Sequence, residues 1–197
     1  MRIAYVFLTL FIFLGCMQHK DVYSLPSYTE NGTLQVVIEI AAGTNAKIEY
    51  QTGSKTFVVD QENGQDRIIQ YLPYPRNYGF IPGTFSNPEM GGDGDALDAL
   101  VLCSSLPTST VIEVIPIAVF KLLDNGETDY KILAVPKDNT LRTIQAKTLE
   151  NLNTKYPKVK EIVALWFLNY NSKDTAQNLG WRNEQEALLE VKKAIKK

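Results

Sequence analysis

From Leu34 onward the hydrophobic and polar positions follow a strand-like pattern. LQVVIEIA is rich in β-branched residues, KIEYQT alternates, and KTFVVD forms another short run. NYGFIPGTF carries aromatic residues with Gly and Pro punctuation. ALDALVLCS, STVIEVIPIAVFKLLD and DYKILAVPK follow, separated by Gly, Pro, Ser and Asp turns. DNGETD, residues 124–129, reads as a hairpin connection of the Asn-Gly type. Short strands at this regular spacing predict a closed or nearly closed barrel. After Asp138 the period changes. TLENLNTKYPKVKEIVALWFLNY places Val159, Ile162, Val163, Trp166 and Tyr170 on one helical face, with Pro157 in a first turn that tolerates it. NEQEALLEVKKAIKK has Glu early and Lys late, matching the helix dipole, and an apolar stripe of Ala187, Leu188, Val191 and Ile195. The predicted class is mainly β with α (α+β), a small β-barrel followed by two packed C-terminal helices.

The first residues break the pattern. Arg2 precedes an almost wholly apolar run, IAYVFLTLFIFLG at 3–15. It is shorter than the roughly 20 residues of a membrane span. It has the form of a secretory signal, with Arg2 as the basic start. The run ends FLGC, and a small residue before Cys16 is similar to a bacterial lipoprotein box. The expected organisation is a signal peptide over 1–15, a lipidated, flexible tether over 16–33, and a folded domain over 34–197. Lipid on Cys16 would hold the chain to a membrane on the exported, periplasmic side. An ordinary cleaved signal or an uncleaved anchor would place the domain on that same side.

Composition then narrows the chemistry. Net charge is −2, and no stretch is strongly basic. Nucleic-acid binding needs a Lys/Arg patch to displace counterions, so a nucleic-acid partner is disfavoured. The one histidine, His19, lies in the expected tether, which leaves the domain no histidine base or ligand. Cys103 lies in an apolar stretch and reads as a buried core thiol. Chemistry must come from carboxylates, Lys, Arg and Tyr.

GGDGDALDALVL, residues 91–102, puts Asp93, Asp95 and Asp98 at the mouth of a buried strand. Carboxylates this close stay ionised together only with something positive among them. An EF-hand loop is a poor match, because its sixth and twelfth positions would be Asp98 and Ser104 rather than Gly and Glu. Asp124 and Asp129 lie in the hairpin, and in a barrel the two loops can meet at one rim. Four or five carboxylates there suit a hard divalent cation such as Mg²⁺. Lys47, Arg67, Tyr74, Tyr78, Lys131 and Tyr170 lie in or at the ends of strands and helix, and cations facing metal-bound carboxylates suggest a phosphate ligand.

With its Asp-x-Asp-x-x-Asp core before an apolar strand, the segment resembles the signature of the soluble inorganic pyrophosphatases of family I. VVIEI, KIEY, DR (Asp66 and Arg67), YPRNYGFIPGT, FKLLDNGETDYKILAVP and WFLNY resemble family segments in family order, across residues 35–197. The resemblance implies an OB-fold-like five-stranded barrel that hydrolyses inorganic pyrophosphate to two phosphates, with several Mg²⁺ ions per site. Mn²⁺, Zn²⁺ and Co²⁺ are possible substitutes. It implies Asp93, Asp98 and Asp129 as ligands of the tightest ion, Asp98 as bridge to a second, and Asp124 with Asp129 as ligands of ions arriving with substrate. It implies Asp95 as general base and Lys47, Arg67, Tyr78, Lys131 and Tyr170 as the grip on the two phosphates. Glu39, Glu49 and Tyr74 resemble supporting positions on the same rim. A homo-oligomer is also implied. The alternatives are a hydrolase of other phosphoanhydrides such as polyphosphate, or an inactive phosphate- or metal-binding barrel. Family members are usually cytoplasmic, so the expected export is a departure. A second departure is Asn171, where the family usually has Lys after the tyrosine. Lys173 is the candidate substitute for it.

Overall fold

The structure, a computed structural model, describes residues 21–196. The expected signal peptide, Cys16 and His19 lie outside the described residues. The strands, in chain order, are β1 (Leu34–Ile40), β2 (Ile48–Gln51), β3 (Thr56–Val59), β4 (Gln61–Glu62), β5 (Gln65–Asp66), β6 (Asn77–Phe80), β7 (Asp98–Val101), β8 (Val111–Asp124), β9 (Glu127–Thr128), β10 (Lys131–Pro136) and β11 (Ala176–Asn183). The helices are α1 (Leu149–Lys155), α2 (Val159–Asn169) and α3 (Glu184–Ala194).

Hydrogen-bond ladders run β1–β6–β7–β10–β8 and return from β8 to β1, so five strands close into a ring, as the sequence pattern predicts. All the ring pairings are antiparallel except β7 with β10. The strands read as near-continuous apolar runs because both faces are buried. In β10, Leu133 and Val135 face a core shared with Val163, Trp166 and Phe167 of α2, while Ile132 and Ala134 face a second core shared with Ala187 and Val191 of α3. Burying side chains of this size is worth roughly 1.5–3 kcal/mol each. At Gly79 of β6 an added Cβ would meet the Val37 carbonyl oxygen at 1.9 Å, so only glycine lets β6 approach β1 here.

The long helical segment expected after Asp138 divides in two. Thr148 caps α1, its side chain accepting from the Asn151 amide at 3.1 Å. Pro157 disfavours helical backbone at Tyr156, where α1 stops, and Lys158 crosses into the left-handed region at φ 74° before α2 begins. Pro157 thus separates two helices instead of opening one. The buried face of α2 is Val163, Ala164, Trp166 and Phe167, while Ile162, expected inside, is 53% exposed. Asn183 caps α3, and Leu188, expected in its apolar stripe, faces solvent.

The expected two-helix C-terminal unit therefore has three helices and an edge strand among the described residues. AQNLGWRN of β11 lacks alternation and contains Gly180, so nothing local marks it as a strand; pairing with β8 makes it one. The expected flexible tether also needs correction over 21–33. Val22 and Ser27 are buried, Tyr23 packs on Phe80 with ring centroids 5.5 Å apart, and Ser27 Oγ donates to the Pro82 carbonyl at 2.7 Å. Apolar residues at 22, 23 and 25 cover Tyr50 and Phe80, which water would otherwise wet.

Candidate active site

Three loops at one end of the ring converge. The first is the acidic loop. Its backbone is pinned: Gly94 N donates to Ser86 O at 2.8 Å, Ser86 N to Asp95 O at 2.7 Å, and Leu97 N to Thr84 Oγ1 at 2.9 Å. Gly94 lies at φ 87°, which glycine adopts without strain, and the Asp95 amide donates to Asp93 Oδ1 at 3.0 Å across that turn. The second is the hairpin. Asn125 and Gly126 both have positive φ, as a two-residue type I′ turn requires, and Thr128 N donates to Gly91 O at 2.7 Å, tying hairpin to acidic loop.

Strand register decides what faces what. Parallel pairing sets Lys131 opposite Asp98, and Asp129 precedes Lys131 by two residues, on the same face. Lys131, 3% exposed, ion-pairs through its ammonium with both carboxylates, and Tyr78 Oη donates to Asp98. Lys131 Nζ also donates to Tyr78 Oη at 3.3 Å. Burial opposes the charge on Lys131, but Asp129 and Asp98 outweigh it and hold the ammonium well above its ordinary pKa. Burial pushes the carboxyls of Asp93, Asp95 and Asp124 up. It also pushes the phenol of Tyr78 well up, and raises that of Tyr170 to about 12.

The third loop belongs to β2, β3 and β5. Lys47 Nζ lies 2.6 Å from Glu49 Oε1 and 3.7 Å from Asp60 Oδ2, and Arg67 Nη1 lies 3.2 Å from the same Asp60 oxygen. Glu39 holds this hairpin from β1: its Oε1 accepts from the Tyr50 amide at 2.8 Å. Burial pushes the Glu39 carboxyl up to about 8. The wall between the loops is aromatic. Trp166 stacks on Tyr170 at 4.6 Å and meets Tyr74 at 4.5 Å, and its Nε1 donates to the Leu72 carbonyl at 2.8 Å. Trp166 belongs to the core and, through these two rings, also backs the cavity wall.

One cavity of about 340 Å³ is lined by every residue expected to bind metal or phosphate, to act as base or to support them: Asp93, Asp95, Asp98, Asp124, Asp129, Glu39, Glu49, Lys47, Arg67, Lys131, Tyr74, Tyr78 and Tyr170. Sequence reasoning missed Tyr23, Asn125 and Asp174, which also line it, and Asp60, which aligns its two cations. The apolar run at 22, 23 and 25 was a signal for Tyr23. The Asn-x-x-Asp spacing at 171–174 was one for Asp174. Lys173 does not line the cavity. Its Nζ pairs with Glu62 at 3.2 Å on the surface.

The donor set, all carboxylate oxygens, fits a hard divalent cation. Among the described residues Asp124 Oδ1 is buried without a hydrogen-bond partner, which leaves its lone pairs for a cation or a ligand's donor. Among the described residues no three acidic side chains close around a single ion, and Lys131 stands between Asp98 and Asp129.

The family model for inorganic pyrophosphatase matches residues 36–197. An inorganic pyrophosphatase of Nostoc is 32% identical over 180 residues, covering 89% of this chain and 98% of that protein. One from Sulfolobus acidocaldarius is 32% identical over 176 residues, covering 87% and 95%. The crystal structure of the Thermus thermophilus inorganic pyrophosphatase superposes with a TM-score of 0.76 at 26% identity, covering 89% of this chain and 97% of that one. That of Neisseria gonorrhoeae gives 0.69 at 32% identity, covering 84% and 91%.

Proposed function

The chain belongs to the inorganic pyrophosphatase family, and on that premise we propose that it hydrolyses inorganic pyrophosphate to two phosphates, its residues dividing the work as follows. The observation that carries the reading is the meeting, in one cavity, of six aspartates with Lys47, Arg67, Lys131 and five tyrosines. Pyrophosphate is multiply negative, and its charge repels an attacking water. Lys47 and Arg67 on one wall and Lys131, Tyr78 and Tyr170 on the other neutralise and hold the two phosphoryl groups in line. Asp93, Asp98, Asp124 and Asp129 are the residues that would hold Mg²⁺. When bound, divalent cations lower the pKa of water and offset charge on the leaving phosphate. Asp95 orients the attacking water and takes its proton as the new P–O bond forms. The bridging P–O bond breaks, and its electron pair leaves with the second phosphate.

The test is phosphate release from pyrophosphate by the full chain. Release with Mg²⁺, abolished by EDTA and restored on adding the metal back, is the expected result. No release with any divalent metal would sink the reading. A panel that includes polyphosphate separates pyrophosphate from other phosphoanhydrides.

We propose as well that the protein is exported and held to a membrane by lipid on Cys16. The support is Arg2, the apolar run at 3–15 and the FLGC that ends it. Among the described residues no helix is long and apolar enough to cross a membrane. Cys16→Ala is expected to abolish lipid labelling and to move the protein from the membrane to the soluble fraction. An unlabelled wild-type chain would overturn this assignment.

A further inference from the structure

The segment before β1 is fastened across the end of the ring that carries the acidic loop. Asp21 Oδ1 accepts from the Tyr23 amide and from Tyr50 Oη, both at 3.1 Å. Six residues on, Ser27 is fixed by its bond to Pro82 and by Gln35 N, which donates to Ser27 O at 2.8 Å. Between these anchors the Tyr23 ring lies on Phe80 and stacks on Tyr50, with centroids 6.4 Å apart and the two rings 8° from parallel. The Lys196 ammonium lies 4.3 Å from the centroid of the same ring, so the other end of the domain meets it there.

Both ends of the domain take hold of one residue, Gly83. Its N donates to Tyr23 O at 3.2 Å, and its O accepts from Lys196 N at 3.0 Å. Two residues on, Phe85 N donates to Ala194 O at 2.7 Å. The other edge of this segment, residues 81–86, carries the acidic loop. Ile81 N donates to Leu97 O at 2.9 Å, Thr84 Oγ1 accepts from Leu97 N, and Ser86 bonds to both Gly94 and Asp95. Asp95 lies before β7 begins at Asp98, so its place depends on these bonds to 81–86. How readily such bonds open is set by the apolar contacts that cover them. Tyr23 on Phe80 supplies such a contact where the segment leaves β6.

We propose that Tyr23 is a positioning residue for the base Asp95, acting through the segment 81–86 that both ends of the domain clamp. The proposal rests on the pyrophosphatase reading and makes the residues ahead of the ring part of the site. Tyr23 lines the cavity, but it grips the segment through its ring and its backbone carbonyl. A small displacement of Asp95 spoils the line of base, water and phosphorus, and so lowers the rate. Affinity stays, because the cations that hold the phosphates, Lys47, Arg67 and Lys131, stand on other elements.

The experiment compares Tyr23→Ala, Tyr23→Phe and Val114→Ala in the full chain. Each is assayed for phosphate release from pyrophosphate at saturating Mg²⁺ and for amide hydrogen exchange. Val114 is a buried residue near the opposite end of β8 from Asp124, and its truncation serves as the purely structural control. Tyr23→Ala is expected to lower kcat about 10–100-fold with KM little changed. In it the Leu97 amide should exchange faster relative to the Ile132 amide inside β10, which marks local opening rather than global unfolding. Tyr23→Phe keeps the ring and should recover most of both. Val114→Ala should lower the melting temperature and leave kcat and the exchange ratio near wild type. If Tyr23→Ala does not fold, Asp21→Ala decides in its place, because it frees the strap at its start without emptying the core; the same two changes are expected in smaller measure. An unchanged kcat or an unchanged exchange ratio would overturn the proposal, as would an equal loss of kcat in Tyr23→Phe or Val114→Ala. Should the wild-type chain release no phosphate, the pyrophosphatase reading fails, and the exchange ratio still decides whether Tyr23 holds the Asp95 loop.

Discussion

Asp95→Asn is expected to lower the turnover of pyrophosphate about 10²–10⁴-fold, the range associated with loss of a positioned general base. Asparagine has nearly the same shape but no basic oxygen to receive a proton from water. The backbone bonds that place the side chain do not change. The Asp95 amide still donates to Asp93 Oδ1, and its carbonyl still accepts from Ser86 N. The melting temperature should therefore stay within about 3 °C of wild type, as for substitutions outside a packed core. Removing one of several carboxylates also lowers the local negative charge, so the KM for the metal complex should change far less than kcat. Mg²⁺-dependent phosphate release and a thermal scan on the same preparation decide the matter. A variant retaining more than a tenth of wild-type turnover would show that Asp95 is not the base.

Lys131→Met is expected to lower unfolding stability by about 3–5 kcal/mol in EDTA, the cost of leaving a buried ion pair with one partner missing. Lys131 is the bridge between Asp98 and Asp129 and donates to Tyr78. Methionine keeps the length of the stem and loses the ammonium, which lies 5.4 Å from the Tyr78 and Phe167 ring centroids. What remains is two carboxylates, each less than a fifth exposed, facing one another without a counter-ion. Added Mg²⁺ should recover part of the loss, because an ion that binds only the folded state stabilises it by mass action. Urea unfolding with EDTA and with Mg²⁺ tests both halves. A loss below about 1 kcal/mol in EDTA would mean that Asp98 and Asp129 are relieved some other way. Turnover should fall as well, since the same ammonium is assigned to a phosphate.

Much of the architecture was legible along the chain. Strands with two buried faces announce themselves as runs such as ILAV in β10, and the Asn-Gly pair names its own turn. The acidic loop was legible because Asp93, Asp95 and Asp98 are crowded at the entry to an apolar strand, where charge has no packing purpose. The resemblance to a family then supplied residue types scattered along the chain, which spacing alone does not connect. Where the reading failed, the deciding contact was distant. β11 has no strand pattern of its own and exists because β8 offers an edge. Ile162 fits the helical stripe, yet α2 turns Phe167 inward because Phe120 and Tyr78 are there to meet it. Tyr23 joins the cavity because Tyr50 and Phe80 leave it a surface.

Apart from β11, the element types, the turn at 125–126 and the identity of the acids and cations were set locally, since each follows from backbone preference or periodicity along the chain. Only the tertiary structure decided which charges oppose one another. Lys131 meets Asp98 through the register of two parallel strands separated by 33 positions. Asp60 aligns Lys47 and Arg67 only after β2 and β3 have paired. Asp174 reaches the cavity because an asparagine in another hairpin, 49 residues away, holds one of its oxygens. Electrostatic energy depends on distance and burial in space, and neither is written into neighbouring positions of the chain.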